Sequence, residues 1–179
     1  MKKQIYVAIE RCLGCRSCEL ACAVAHSQTK DLLQAMQEAV PPQARVAVGV
    51  VETFAVPLHC RHCEDAPCIT VCPSHAMSRS GPDEPVVCQE SRCIGCTLCV
   101  WVCPFGVLKM DRAGKAIVKC DLCQDLLAAG KDPAFVTACP TGAIRFISIT
   151  DFSDNVAGQA REDMVAAMKA GDKTRTIGR

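Results

Sequence analysis

Residues 93–104 read Cys-Ile-Gly-Cys-Thr-Leu-Cys-Val-Trp-Val-Cys-Pro, so that four cysteines follow the spacing C-x2-C-x2-C-x3-C and end on proline. Sixteen of the 179 residues are cysteine, and all but Cys88 belong to this run or to three related ones. The related runs are Cys12, Cys15, Cys18 and Cys22; Cys60, Cys63, Cys68 and Cys72-Pro73; and Cys120 and Cys123 followed at a distance by Cys139-Pro140. A spacing that recurs this regularly indicates that the thiolates bind metal.

The gaps within the runs predict iron–sulfur clusters. Short gaps place three thiolates around one cube of iron and sulfide, and the fourth thiolate comes from a distant run. A secreted disulfide scaffold is the first alternative, but disulfide pairing does not explain the repeated C-x-x-C pairs. A structural zinc protein is the second, because C-x-x-C pairs also build zinc ribbons. Four-cysteine runs that end in Cys-Pro favour iron over zinc.

The composition agrees with a small protein whose core is partly metal. Hydrophobic residues make up 50% of the chain but aromatic residues only 4%, so clusters would supply much of the buried volume. The net charge of +1 becomes about −5 if three clusters of about −2 each are bound. We find no basic patch for nucleic acid, no signal peptide and no run of about 20 apolar residues. The expected location is the cytoplasm.

The four runs are an internal repeat, and two further segments lie outside it. Each run follows a short segment of β-type sequence, and three runs leave Cys-Pro as a strand. This pattern predicts an α+β fold of two ferredoxin-like modules with short β-hairpins and cluster-binding helical turns. Residues 31–40 and 154–170 carry apolar residues at helical spacing, which predicts an inserted helix and a C-terminal helix. The basic end from Lys173 to Arg179 is a candidate docking segment for a larger subunit.

Three segments resemble the polyferredoxin-type electron-transfer subunits of molybdopterin or tungstopterin oxidoreductases, formate-linked hydrogenases and CO dehydrogenase. They are Cys60-Arg-His-Cys-Glu-Asp-Ala-Pro-Cys, the triplet Cys93-Ile-Gly-Cys-Thr-Leu-Cys, and Lys119-Cys-Asp-Leu-Cys followed by Cys139-Pro-Thr-Gly-Ala-Ile. The resemblance implies two bacterial-type 2[4Fe-4S] modules. Residues 1–26 with 110–150 would form the outer module and 57–109 the inner one, with an insertion at 27–56 and a C-terminal helix and tail at 151–179.

The resemblance also implies crossed ligand sets for three [4Fe-4S] clusters. These sets are Cys60, Cys63, Cys68 and Cys103; Cys93, Cys96, Cys99 and Cys72; and Cys12, Cys15, Cys18 and Cys139.

A fourth ligand set would require a cysteine where the chain has Phe135. A phenyl ring cannot bind iron, so our first interpretation is that the fourth cluster is lost. A three-iron cluster, or a four-iron cluster with a ligand other than cysteine, is the second. Zinc on the leftover thiolates Cys22, Cys120 and Cys123 is the third, with His26 either as a fourth zinc ligand or as an ordinary surface or packed histidine.

Two residues near the runs have simple expected roles. Cys88 stands five residues before Cys93, as Val7 stands before Cys12, which predicts a buried strand residue; the alternative is a spare cluster ligand. Trp101 lies between two ligands, and we expect it to pack over a cluster.

The function predicted from these features is electron transfer without catalysis. Cubes held by four cysteines leave no open site for a substrate, and the chain has no nucleophile and base in a catalytic pattern. The resemblance implies a relay subunit for a larger catalytic oxidoreductase, first of all a tungstopterin enzyme of the aldehyde:ferredoxin oxidoreductase or benzoyl-CoA reductase type. The alternatives are a CO dehydrogenase, hydrogenase or formate dehydrogenase partner, or a free-standing polyferredoxin. A further electron carrier is a candidate second partner.

Overall fold

The computed structural model describes the backbone of residues 3–175 and the side chains of residues 3–169. It is a mixed structure of short helices and strands, in which two compact units are recognised. The larger unit runs from Ile5 to Phe146 and contains every cysteine. The smaller unit contains the start of the first strand and the chain from Ile147 onward. The basic end that we predicted as a docking segment lies outside the residues whose side chains are described.

The strands of the described residues pair two by two rather than in one continuous sheet. β1 pairs with β8, β2 with β3, β4 with β5, and β6 with β7, and the last three pairs are antiparallel. The strands are β1 (Lys3–Val7), β2 (Ala47–Val51), β3 (Phe54–Leu58), β4 (Met77–Ser78), β5 (Val87–Cys88), β6 (Lys109–Met110), β7 (Ile117–Val118) and β8 (Ile144–Ser148). The hairpin β4–β5 joins the second and third cysteine runs, and β6–β7 joins the third and fourth.

Most helices are one or two turns long. They either contain cysteines of the four runs or lie next to such cysteines. The helices are α1 (Ser17–Ala25), α2 (Leu32–Ala35), α3 (Pro67–Thr70), α4 (Leu98–Trp101), α5 (Gln124–Ala128), α6 (Ala134–Thr137) and α7 (Ile149–Arg175). Pro67 stands in the first turn of α3, where its missing N–H is not needed. No helix among the described residues has the length and apolar character needed to cross a bilayer.

One backbone conformation recurs in all four cysteine runs. In each C-x-x-C pair, the residue immediately before the second cysteine has a left-handed φ of 48° to 68°. These residues are Gly14, His62, Gly95 and Leu122. Three loops repeat a second left-handed position three residues after the Cys of Cys-Pro, at His75, Gly106 and Gly142. A non-glycine residue adopts this conformation only where its surroundings hold it there, so the repeat predicted from the spacing is also a repeat of backbone shape.

The core of the larger unit is built from small side chains and thiols. Its largest fully buried side chains include Phe135, Met77 and Val86, each at most 2% exposed, and no other Phe, Tyr or Trp side chain is buried to that degree among the described residues. Six cysteines belong to the same buried cluster, and others pack at its edge. This composition matches the low aromatic content of the chain.

The two predicted helices outside the repeat differ from expectation. The inserted helix shrinks to α2, where the Asp31 carboxylate accepts hydrogen bonds from the amides of Leu33 and Gln34 at 3.0 Å each. Within residues 31–40 only Ala35 is buried, while Leu33 and Met36 are exposed. The apolar residues of this segment therefore do not form a helix face that packs against the protein. The C-terminal helix begins earlier than predicted, because the Ser148 hydroxyl accepts a hydrogen bond from the amide of Asp151 and provides the cap.

Candidate metal centres

The C-x-x-C loops direct backbone amides at cysteine sulfur. The amide of His62 donates to Sγ of Cys60 at 3.5 Å, and the amide of Leu122 donates to Sγ of Cys120 at 3.4 Å. Both donors are the left-handed residues of their loops, so the strained conformation is what aims the amide. Hydrogen bonds of this kind stabilise a thiolate over a thiol, which is the form that binds metal.

The second run meets the last cysteine of the third run in one cavity. Cys60, Cys63, Cys68 and Cys103 all line it, together with Pro104 and Phe105. Burial raises the pKa of Cys68, and the neighbouring thiols of Cys60 and Cys103 raise it further, while the Lys119 ammonium lowers it. The structure therefore brings together the four cysteines of the first predicted set.

The Arg79 guanidinium fastens the loop of this cavity. It donates to the backbone carbonyls of His62 at 2.8 Å, Cys63 at 2.5 Å and Glu64 at 3.1 Å. Because three consecutive carbonyls share one side chain, the loop shape depends on Arg79, a residue outside every cysteine run.

Cysteines of the third run gather around Cys72. Burial raises the pKa of Cys99 to about 11, and the nearby thiols of Cys68, Cys72, Cys93 and Cys96 raise it as well. Cys88 lies in β5 and is partly buried, and burial together with Cys93, Cys99 and Cys72 raises its pKa to about 12. The strand position predicted for Cys88 is present, and the residue adjoins this group.

The first run lies near Cys139. Burial raises the pKa of Cys18 to about 11, although a hydrogen bond from the Glu19 amide opposes the rise, and the nearby Cys12 adds to it. At the exposed Cys15, the Ser17 hydroxyl lowers the pKa and the nearby Cys139 thiol raises it. For Cys139 burial raises the pKa, but hydrogen bonds from the Ile144 amide and with Thr141 outweigh burial and lower it. Cysteines separated by more than a hundred residues in sequence are thus neighbours in the fold.

Phe135 lies in the same buried core as Cys22 and Cys120, two of the three leftover cysteines. Its side chain is 1% exposed on α6, a helix that packs against α1, and its ring centroid lies 5.7 Å from that of His59. Cys22, Cys120 and Cys123 are all buried. The fourth ligand set that the resemblance implies is one thiolate short, because Phe135 stands at its fourth position.

A polar network adjoins the leftover cysteines. His26 Nδ1 lies 2.7 Å from the carbonyl oxygen of Cys22, and His26 Nε2 lies 3.0 Å from Oδ1 of Asp121. The Arg45 guanidinium donates to Oδ2 of Asp121 at 2.5 Å. Although burial alone lowers the pKa of His26, the Asp121 carboxylate and the thiols of Cys123 and Cys22 raise it to about 12. Sequence reasoning missed Asp121, although its place between Cys120 and Cys123 was a signal.

Lys119 is a buried cation. Its side chain is 2% exposed, and its ammonium donates to the carbonyl oxygens of Val86 and, at 2.7 Å, of Cys120. Burial, followed by this ammonium, lowers the pKa of His62 to about 3, so that its Nδ1 accepts a hydrogen bond from the Val86 amide at 3.0 Å. A buried positive charge of this kind stabilises negative charge nearby.

Several apolar side chains next to metal-binding loops face solvent. Trp101 is 83% exposed, so the prediction that it packs over a cluster is wrong. The reason is its place in the single turn of α4, where Cys99 faces inward and Trp101 faces outward. Leu13 and Ile94, which follow the first cysteine of their runs, are 74% and 66% exposed. Cys15 and Cys96 are themselves exposed, so two of the cysteine groups reach the surface.

Comparison with known proteins gives a consistent family. A family model described as a 4Fe-4S dicluster domain matches residues 51–149. An iron-sulfur protein of Rhodospirillum rubrum is 45% identical over 157 residues, which are 81% of this chain and 82% of the relative. The thiosulfate reductase electron transfer subunit PhsB of Salmonella typhi is 40% identical over 141 residues, which are 76% of this chain and 71% of the relative.

A weaker likeness exists among solved structures. A chain of the active site complex BamBC of benzoyl coenzyme A reductase aligns with 93% of this chain. The alignment covers 95% of that chain, at 22% sequence identity and a TM-score of 0.44. The assignment rests on the family model, on the identity and on the length of the matches to the relatives. This chain belongs to the 4Fe-4S dicluster domain family of iron–sulfur proteins.

Proposed function

We propose that the protein is a non-catalytic relay subunit that carries single electrons through three [4Fe-4S] clusters. The observation that carries this proposal is the gathering of cysteines from different runs at three places. Each cluster would be held by four cysteines, one of them from another run, in the crossed sets predicted from the sequence. A cube with four thiolate ligands exchanges electrons and has no open position for a substrate.

The surroundings of the cysteines support a redox role over a purely structural one. A buried ammonium, that of Lys119, lies near Cys68 of the first proposed ligand set. An iron–sulfur cluster with four thiolates carries negative charge, which increases on reduction, so a nearby cation favours the reduced form. The exposed Cys15 and Cys96 would bring two clusters close to the surface, where electrons can enter and leave.

The proposed domain organisation follows the same ligand sets. Residues 57–109 would form an inner module with two clusters. Residues 1–26 and 110–150 would form an outer module with one cluster, beside the site that Phe135 fills. Strand β2 would belong to the insertion at 27–56, and β3 would run from it into the inner module. Helix α7 would begin at the end of the outer module and continue through the C-terminal segment.

The proposed partner is a larger catalytic oxidoreductase subunit. PhsB, a relative over most of its length, is an electron transfer subunit of thiosulfate reductase. Among partner classes we favour a molybdopterin or tungstopterin enzyme, as the sequence resemblance implies. The cytoplasmic location remains a prediction from the cysteine pattern.

A redox titration of the anaerobically purified full chain tests the relay. Three clusters should take up about three electrons per chain, one for each cluster, and give paramagnetic reduced states. Protein without such signals, or with zinc in place of iron, would refute the proposal. Purification from the native source should recover the catalytic subunit with it, and a chain that is isolated alone at native concentration would contradict the subunit role.

A further inference from the structure

The space beside the missing fourth cluster holds potential metal ligands of another kind. A ring nitrogen of His26, a carboxylate oxygen of Asp121 and Sγ of Cys123 all lie within 4.8 Å of one another. Phe135 stands where the fourth thiolate of a cluster would be, so the thiolates present are one short of a full set for a cube of iron and sulfide. We propose that His26, Asp121 and Cys123 bind a single zinc ion. This inference does not depend on the electron-relay proposal.

The orientation of His26 is that of a metal-binding histidine. Its Nδ1 lies 2.7 Å from the carbonyl oxygen of Cys22, and because that oxygen can only accept, Nδ1 carries the hydrogen and donates it. In the neutral ring Nε2 then has a free lone pair. Histidine ligands of zinc commonly donate their other ring N–H to a backbone carbonyl in this way.

A positive charge must lie between His26 and Asp121. Nε2 of His26 and Oδ1 of Asp121 are 3.0 Å apart, and with a neutral ring each of these atoms would present a lone pair to the other. Either a proton or a metal ion makes this approach favourable. Two zinc ligands at about 2.0–2.1 Å in tetrahedral geometry lie about 3.3 Å from each other. The observed separation is therefore close to the one that a shared zinc ion requires.

The third ligand favours a metal ion over a proton. A thiol beside an imidazole and a carboxylate gives the mixed sulfur, nitrogen and oxygen set that zinc accepts, whereas magnesium and calcium prefer oxygen alone. The Arg45 guanidinium and the Cys123 amide hold the Asp121 carboxylate, at 2.5 Å and 2.9 Å. Cys22 is a poorer candidate, because its Sγ faces the Nδ1 side of the ring and accepts a hydrogen bond from the Arg45 amide at 3.2 Å.

The fourth position of this zinc ion would face a cavity. His26, Asp121 and Cys123 lie in the wall of a cavity of about 630 Å³, whose other walls include Leu20, Val24 and Leu126. A zinc ion with three protein ligands keeps an open position for water or a small ligand, unlike the closed four-ligand zinc sites that hold folds together. The site would therefore exchange its fourth ligand with solvent.

Metal analysis of the full chain with its clusters tests the proposal. Protein that is purified anaerobically and dialysed against a mild chelator should contain about one zinc per chain. Cys123→Ser and His26→Gln should each lower zinc about tenfold or more, while iron stays at the wild-type value. Cys88→Ser is the matched control, since it removes a partly buried thiol outside the site and should leave zinc unchanged. Wild-type protein without zinc would leave the His26–Asp121 pair as a salt bridge and overturn the proposal.

X-ray absorption at the zinc edge tests the ligand set without any variant. We expect one sulfur at about 2.3 Å and the remaining ligands as nitrogen or oxygen at about 2.0–2.2 Å. A shell of three or four sulfur atoms would show zinc on the cysteines alone and refute the role of His26 and Asp121. Iron near sixteen per chain with no zinc would show that a cluster fills the site.

Discussion

Replacing Phe135 by cysteine restores the one thiolate that a fourth cluster lacks, and Phe135→Ala is the matched control that removes the ring without adding a ligand. Phe135 is 1% exposed, so both variants lose a fully buried ring. Substitutions of this kind cost about 3–5 kcal/mol in buried sites. For a chain of this length 1 kcal/mol corresponds to about 2–4 °C, so the apparent melting temperature of Phe135→Ala should fall by about 6–20 °C.

The two variants should differ after anaerobic reconstitution with iron and sulfide. Phe135→Cys should bind about four more iron per chain than wild type, because Cys22, Cys120, Cys123 and the new thiolate form a full set. Phe135→Cys should lose any bound zinc at the same time, because Cys123 would then bind the cluster. Its melting temperature should lie above that of Phe135→Ala, because the new cluster would offset part of the loss. Phe135→Ala should show neither gain. A folded Phe135→Cys protein with wild-type iron would refute the idea that this one residue emptied the site.

Three further predictions concern residues around the proposed clusters. Cys139→Ser should lower the iron content from about twelve to about eight per chain, because it weakens the cluster of Cys12, Cys15 and Cys18. The control variant Cys88→Ser should keep the wild-type iron content. Loss of metal from Cys120 and Cys123 instead would refute the crossed pairing. Lys119→Met should lower the reduction potential of the nearest cluster by about 70 mV, because a unit charge roughly 10 Å away is worth about 1.7 kcal/mol at an effective dielectric of about 20. Replacement of the exposed Lys115 by Met is the control. Equal potentials for the two variants, in a redox titration followed by EPR, would contradict the account. Arg79→Met should speed the loss of iron to a chelator, because three backbone carbonyls of the loop at Cys63 lose their hydrogen-bond donor. Replacement of the exposed Arg92 by Met should leave the rate of iron loss unchanged. Equal rates for the two variants would show that Arg79 does not hold the loop.

Local features of the metal centres followed from the sequence because the spacing of cysteines fixes short loops. The C-x-x-C pairs and the Cys-Pro endings predicted repeated loops, and the left-handed residues at Gly14 and Gly95 recur at matching positions. The missing ligand at position 135 followed from the sequence once the resemblance supplied the family's pattern of ligands. Its burial could not, because the packing of Phe135 against His59 joins residues 76 positions apart.

Features that depend on long-range contacts were not predictable in the same way. Arg45 reaches Asp121 across 76 residues, and Arg79 reaches back to the loop at Cys63. Nothing in the spacing of Lys119 distinguishes a buried ammonium from a surface lysine. Trp101 was predicted inside and lies outside, because the direction of a side chain on a single helical turn depends on what surrounds that turn.

The most direct test of the three-cluster account is the amount of iron and acid-labile sulfide in the anaerobically purified full chain. We expect about twelve of each per chain, from three [4Fe-4S] clusters on twelve cysteines. About sixteen of each would show a fourth cluster despite Phe135. About eight of each, or iron without sulfide, would contradict the three ligand sets.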